Sequence, residues 1–428
     1  MSSVIIHGLG LSGMSALKYH LSAGFDVYFI EDDIEKCDKA VSLGAEKYHE
    51  HYKLKDVEYV IKSPGISLKN QYNQLFIDAG YKITSDICVF NNILKNKFPD
   101  SYVVGITGTN GKSTTVSLVN HMLNFNGIES YIGGNYGIPV FDMPIKNAKY
   151  ILEISSYQLE ISDDLNLNIS ALTNISPDHI EFHGSMEKYC NAKEKIFKGS
   201  DNAVICIDDY ISKNIAIKIS ESEIKTVFAS KNDIHPYEKF ENLYGDHNNQ
   251  NASMAYKIGR ILKIPSERIY ESFESFKGLR HRQHCIHKNK NTKFINDSKA
   301  TNLLSCISAL KVFDNIHLIL GGLYKGEPLF EINKYKSKIK MIYIIGQEKN
   351  IDNILEEFKN SCVEIPYIIS NTLDNAVTYA CEKIKNHKDD GLINTLLLSP
   401  ACASFDQYEN FEKRGEHFEE IIFKSFLK

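Results

Sequence analysis

Three times along this chain an apolar run rich in β-branched residues stops at glycine and gives way to a helical pattern. The first is VIIH followed by GLGLSG, the second YVVGIT followed by GTNGKSTT. The third begins near Lys293 with KFINDSKATN and continues through HLILGG, MIYIIG and TLLLSP. A parallel-sheet βαβ unit reads this way. At 428 residues the chain exceeds what one hydrophobic core can hold, so each recurrence is expected to open an α/β domain. Polar NNILKNKFP over 91–99 and basic, glycine-containing KGLRHRQ over 277–283 are the candidate seams.

Composition removes several classes. Apolar residues at 43% and charged residues at 24% are ordinary for a globular protein, and a net charge of −5 argues against a nucleic-acid partner. Nine cysteines are scattered from Cys37 to Cys402 without a C-x-x-C pair, which disfavours a disulfide framework or zinc knuckle and fits a reducing cytoplasm. The opening MSSVIIHGLGLSG lacks the layout of a secretory signal. No apolar run approaches the roughly 20 residues needed to cross a bilayer, so membrane insertion is not expected.

The chemistry concentrates at the glycine turns. Gly108-Thr109-Asn110-Gly111-Lys112-Ser113-Thr114 lies between a strand and a helix, where backbone N–H groups and a helix N-terminus face phosphate oxygens. There Lys112 can reach the β- and γ-phosphates and Ser113 can ligate Mg²⁺. The strict phosphate-loop pattern needs glycine at Ile106, so this is a variant. Gly8-Leu9-Gly10-Leu11-Ser12-Gly13 satisfies G-x-G-x-x-G after a strand, and DVYFI ends on Glu31, Asp32 and Asp33 at the distance expected for a ribose or base contact. Alone it suggests NAD; beside an ATP loop, another diphosphate ligand fits better. Glu153, His179 and Lys193 form a candidate metal cluster. His179 and His183 stand at i and i+4, but HIEFH is not the zinc-protease motif, and His183 is read as structural.

Together GTNGKST, the segment Glu153 to Ser156, TNISPDH, the downstream Lys193 and DHNNQN from Asp246 resemble the Mur ligase family in order and spacing, over nearly the whole chain. Within the family, INDSKATN and SPACASFDQYENFEKRG look like the D-glutamate-adding branch. The resemblance implies a Rossmann-like domain for a UDP-sugar over 1–92, a central P-loop mononucleotide-binding domain over 93–278, and a Rossmann-like domain over 279–428 that closes over ATP and D-glutamate. It implies an enzyme that uses ATP and two Mg²⁺ ions to join D-glutamate to UDP-N-acetylmuramoyl-L-alanine through an acyl phosphate; a monomer is the default expectation.

By the same resemblance Ser113 and Glu153 hold one ion, while His179 and a carbamate formed on Lys193 from carbon dioxide hold the other. Asn251, Arg282 and Asp297 join the ATP set. Leu11, Ser12, Glu31, Asp32, Gly65, Asn135, Ser155, Gln158 and His179 are implied for the UDP-linked donor. Lys299, Thr301, Lys325, Ser404, Phe405 and Phe411 are implied for D-glutamate. The sequence departs from the family at Cys88, Phe182 and Tyr324. The rivals are folylpolyglutamate synthetase, which lacks a comparable amino-terminal GLGLSG domain, a dehydrogenase resting on residues 8–13 alone, and a catalytically dead nucleotide binder.

Overall fold

A computed structural model of the chain describes residues 2–49, 56–234, 240, 243, 245–326, 328–386 and 392–426. The strands fall into three sheets. The first holds β1 (Ser3–His7), β2 (Asp26–Ile30), β3 (Glu46–Lys47), β4 (Val57–Lys62) and β5 (Ile83–Thr84), in the order β3-β2-β1-β4-β5 and parallel throughout. The second holds β6 (Tyr102–Thr107), β7 (Ser130–Gly134), β8 (Lys149–Glu153), β9 (Ile169–Leu172), β10 (Asn202–Cys206) and β11 (Lys225–Ala229), ordered β11-β10-β9-β6-β8-β7 and again parallel. The third holds β12 (His284–Lys288), β13 (Thr292–Asn296), β14 (Ile316–Gly321), β15 (Ile339–Ile345), β16 (Tyr367–Asn371) and β17 (Asn394–Leu398), ordered β12-β13-β17-β14-β15-β16. Among the described strands of this sheet only β12 runs antiparallel, to β13.

The runs expected to be strands are strands, and their continuous apolarity has a physical cause. Helices cover both faces of a parallel sheet, so β1 and β14 bury every residue and show no in–out alternation. Each sheet also reverses its winding direction beside a glycine turn. In the first, the chain leaves β1 towards β2 on one side and returns to β4 on the other; in the second, β6 lies between β8 and β9. Such switch points open a crevice at the carboxyl ends of the strands.

The described chain forms two compact units, residues 1–236 with 246–275, and residues 237–245 with 276–428. The first two sheets share the first unit and one apolar core. Segment 91–99, read as a seam, lies within the helix Asp86–Lys97 as far as Lys97, and the buried face of that helix (Ile87, Cys88, Val89, Phe90 and Leu94) joins the core. Cys88 is therefore a core residue. Phe141, in the second half of this unit, stacks on Tyr19 with ring centroids 4.7 Å apart and meets His20 and Phe90 edge-on. Ser15 adds a 2.8 Å hydrogen bond to Asp142.

Phe141→Ala is expected to remove an aromatic plug common to both sheets and to destabilise the first unit by about 3 kcal/mol or more. Urea unfolding followed by fluorescence would measure it, and an unchanged midpoint would mean that the two sheets are stabilised independently.

Candidate active site

The turn after β6 owes its shape to two glycines. Gly108 sits at φ +149°, and a Cβ there would lie 1.9 Å from the Thr173 hydroxyl; Gly111 sits at φ +82°, where a Cβ would lie 2.2 Å from Asn251 Oδ1. No larger residue fits either position. The strand-end segment after β9 pins the turn. Thr109 N–H donates to the Asn174 carbonyl (2.8 Å), Asn110 N–H to Asn174 Oδ1 (2.9 Å), and the Thr173 hydroxyl to the Asn110 carbonyl (2.6 Å). Helix Lys112–Phe125 then starts with no side-chain cap, whereas Ser85, Ser155, Ser185 and Asp209 cap other helices of this unit. Its leading N–H groups, with half-buried Thr114 in the first turn, keep the geometry an anion needs.

Charged groups gather beside this turn. Lys112 Nζ donates to the carbonyls of Gly108 (2.9 Å) and Thr109 (2.8 Å). Lys193, buried on helix Met186–Glu194, donates to the same Gly108 carbonyl at 2.7 Å and to Thr107 Oγ1 at 3.4 Å. Burial, together with the charge of Lys112, pulls the Lys193 amine down to about 7. Glu153 closes β8 at 3% exposure; Ser113 Oγ donates to one of its oxygens (2.7 Å) and the Asn135 amide to the other (2.7 Å). Its carboxylate is therefore buried with neutral partners, an arrangement suited to a cation. Asn251 joins through Thr115, whose hydroxyl donates to its Oδ1 at 3.3 Å.

His179 adopts a left-handed backbone at φ +53°. Its N–H donates to Asp178 Oδ1 (2.9 Å), and its ring packs 5.0 Å from Tyr157 and 6.4 Å from Tyr189. Tyr189 links it to the turn, with its hydroxyl 2.9 Å from Thr109 Oγ1 and its ring under Lys193 Nζ at 4.8 Å. Phe182 packs on Tyr157 at 4.3 Å. His183 is buried with Nε2 3.0 Å from Ser156 Oγ, so the structure gives it an internal partner. Sequence reading missed Tyr189, although it stands four residues before Lys193 on the same helical face. It also missed the pinning by Thr173 and Asn174, which only the fold reveals. No group of three or more His, Cys, Asp or Glu side chains among the described residues could hold a metal ion. The set inferred above draws instead on the Ser113 hydroxyl and a modified lysine.

At the first switch point Gly8 takes φ +91°, and a Cβ on Gly13 would lie 1.9 Å from the Gly8 carbonyl. The helix Leu11–Ser22 begins here, also without a side-chain cap, with Leu11 85% exposed and Ser12 half-buried. Glu31 accepts the N–H groups of Leu9 (2.7 Å), Asp32 (2.9 Å) and Asp33 (3.2 Å). Burial pushes its carboxyl up, but these bonds outweigh it and leave the group below its usual range. Asp32 is exposed. Gly65 belongs to a loop held by buried Lys62, whose amine donates to the carbonyls of Ser63, Pro64 and Ile66 at 3.2, 3.4 and 2.6 Å. Ser155 and Gln158 form a reciprocal capping box on helix Ser156–Glu160, so part of their hydrogen bonding is internal.

The remaining residues lie in the second unit. Buried Asp297 follows β13, accepting from Ser399 Oγ (2.7 Å) and Gln283 N–H (3.1 Å), and burial lifts its carboxyl to about 7. Lys299 Nζ stands 3.8 Å above the Phe411 ring. Ser404 is buried, Thr301 and Arg282 are half-buried, and Lys325 and Phe405 are exposed. Half-buried Tyr324 packs on this unit's apolar core.

Residues 106–269 match the Mur ligase middle domain. The chain is 32% identical to UDP-N-acetylmuramoylalanine–D-glutamate ligase of Rhizobium johnstonii, over 97% of this chain and 93% of that protein. It is 36% identical to the enzyme of the same name from Rickettsia prowazekii, over 85% and 84%. Among solved structures it resembles MurF from Acinetobacter baumannii, at TM-score 0.62 and 16% identity over 97% of this chain and 93% of that one. At that identity the likeness is one of fold.

Between about pH 7 and the ordinary value of 10.5, the unfolded chain holds a proton that folded Lys193 has lost. The residue's unfavourable contribution is therefore full below pH 7 and is relieved as pH rises towards 10.5. A lysine-selective NMR titration of magnesium-free protein is expected to show one ε-methylene signal, missing from Lys193→Ala protein, with its midpoint near 7. A midpoint near 10.5 would contradict the assignment.

Proposed function

The chain belongs to the Mur ligase family, and from that membership we infer that it is an ATP-dependent ligase joining D-glutamate to UDP-N-acetylmuramoyl-L-alanine, releasing ADP and phosphate. The observation that carries the reading is the gathering of Lys112, Lys193, Ser113 and Glu153 around the Gly108 turn. A carboxylate resists attack by an amine because it would have to expel oxide, so it must first become an acyl phosphate. Bringing a carboxylate to a triphosphate sets anion against anion, and the site must cancel that repulsion.

Each residue then has a task. Lys112, resting on two carbonyls, is placed to move onto the β- and γ-phosphates, while the uncapped helix behind it faces their oxygens. Ser113 and Glu153 offer adjoining hard oxygens to one Mg²⁺, which fits the buried carboxylate and its neutral neighbours. Magnesium supplies charge neutralisation and in-line alignment during phosphoryl transfer. A second ion is assigned to His179 and to a carbamate on Lys193. An amine depressed to about 7 is unprotonated in a large fraction at neutral pH, the form that reacts with carbon dioxide. Asn251, Arg282 and Asp297 complete the nucleotide set.

The donor is assigned to Leu11, Ser12, Glu31, Asp32, Gly65, Asn135, Ser155, Gln158 and His179, and D-glutamate to Lys299, Thr301, Lys325, Ser404, Phe405 and Phe411. Donor, ATP and acceptor domains are assigned to residues 1–92, 93–278 and 279–428. Among the described residues no helix is long and apolar enough to cross a membrane. Among the described residues no disulfide joins any of the cysteines, in keeping with the cytoplasmic location we propose. A monomer is the simplest state, since one chain supplies residues for all three substrates. The Rossmann-like first sheet, with its switch-point loop, favours this reading over a folylpolyglutamate synthetase.

Phosphate release with UDP-N-acetylmuramoyl-L-alanine and ATP present, while D-glutamate, L-glutamate, D-alanine and diaminopimelate are offered in turn, is expected only with D-glutamate. Turnover with L-glutamate on a folate donor would overturn the assignment. Lys193→Ala is expected to lose roughly 100-fold or more in rate and to regain part of it when acetate is added. Full activity of that variant without acetate would exclude a bridging carbamate.

A further inference from the structure

Arg414, on helix Phe411–Phe426, is 1% exposed and among the largest fully buried side chains of the protein. Its hydrogen bonds go to neutral oxygens. Nε donates to Ser298 Oγ (3.0 Å), Nη2 to the Ser298 carbonyl (2.8 Å), and Nη1 and Nη2 to the Cys402 carbonyl (both 3.1 Å). Against its other flank lies Gly322, where a Cβ would come within 3.1 Å of Nη1. Those three residues sit on the loops after β13, β17 and β14, which are adjacent strands of the sheet. Ser298 adjoins Lys299, Cys402 stands two residues before Ser404, and Gly322 opens the loop that reaches Lys325. Ser298 Oγ in turn donates to the Phe411 carbonyl at 2.8 Å, and Leu323 N–H to the Ala403 carbonyl at 2.8 Å.

One guanidinium thus hydrogen-bonds the loops of Ser298 and Cys402 and lies against the Gly322 loop, so it meets each loop to which acceptor-binding residues were assigned. Its charge also has no direct counterion: it makes no ion pair among the described residues, and the carboxylates whose fields reach it are Asp406 and Asp297. Desolvation lowers Arg414 only to about 10, so it stays charged, whereas burial lifts Asp297 to about 7 and leaves that countercharge partial. A buried cation held only by a hydroxyl and carbonyls is costly for the fold. It is well suited to a ligand that brings two carboxylates.

We propose that Arg414 is the positioning residue of the acceptor site, fixing the loops of Lys299, Ser404 and Lys325 in one arrangement and setting affinity for a dicarboxylic amino acid through its buried charge. The inference rests on the D-glutamate reading, so wild-type turnover is measured first. No turnover with D-glutamate would sink that reading; turnover with unaffected variants would sink this inference alone.

KM for each of the three substrates, and kcat, are then compared in Arg414→Met, Arg414→Lys and Ser298→Ala, with thermal melts to confirm folding. Losing charge and fork together in Arg414→Met is expected to raise the KM for D-glutamate roughly 100-fold, and Arg414→Lys, which keeps charge without the fork, roughly tenfold. Ser298→Ala, which removes one acceptor of the fork, is expected to raise it about threefold. KM for ATP and for the donor, and kcat, stay within about twofold. Unchanged KM for D-glutamate in folded Arg414→Lys and Ser298→Ala protein, or an equal rise in all three KM values, overturns the proposal. Should Arg414→Met fail to fold, the other two variants decide.

Discussion

Two lysine amines donate to a single backbone oxygen, the carbonyl of Gly108. Like charges do not gather in a buried place without cause, and much of the first unit follows from holding them there. The carbonyl is presented because Gly108 takes a backbone conformation that a side chain would block against Thr173. Thr173 is in place because β9 runs beside β6 and delivers its end to the turn. Lys193 arrives on a helix whose Tyr189 ring receives its ammonium and whose first turn is fixed by Ser185. Burial first, and then the nearness of the other amine, lower the proton affinity of Lys193.

The two units treat charge differently. Around Gly108 the buried Glu153 carboxylate accepts from a hydroxyl and an amide, and two amines donate to one backbone carbonyl, a setting that suits added ions and phosphates. In the second unit a buried guanidinium is solvated by carbonyls, and a buried acid close to neutrality answers it only partly. Both arrangements sacrifice stability relative to an apolar core. Both make sense in a protein whose three substrates are all anionic.

Much of this was legible in the sequence. Strands flanked by helices on both faces show as unbroken apolar runs, and turns that require a positive φ show as glycines at fixed spacing, so β1, β6, β13, β14 and β17 and the loops after them could be placed at once. What stayed hidden depends on contacts between distant residues. NNILKNKFPD looks like a linker because its polar side chains dominate the pattern, yet the helix that holds it as far as Lys97 buries Ile87, Phe90 and Leu94. The antiparallel β12 is short and only half-buried. Ser155 and Gln158 carry a local capping role beside any ligand they meet. Arg414 stands in an ordinary charged run, FEKRG, and nothing in its neighbours announces that it is buried.

The stacking of Phe141 on Tyr19, with Val140 and Tyr150 in the same core, ties the order of synthesis to the order of folding. Tyr19 and Phe90 leave the ribosome well before the side chains that will cover them. The first sheet therefore cannot finish its core until about 60 further residues beyond Phe90 have emerged, while the exit tunnel still conceals the most recent part of the chain. Until then the apolar flank formed by Tyr19 and Phe90 has no partner from the second sheet to cover it.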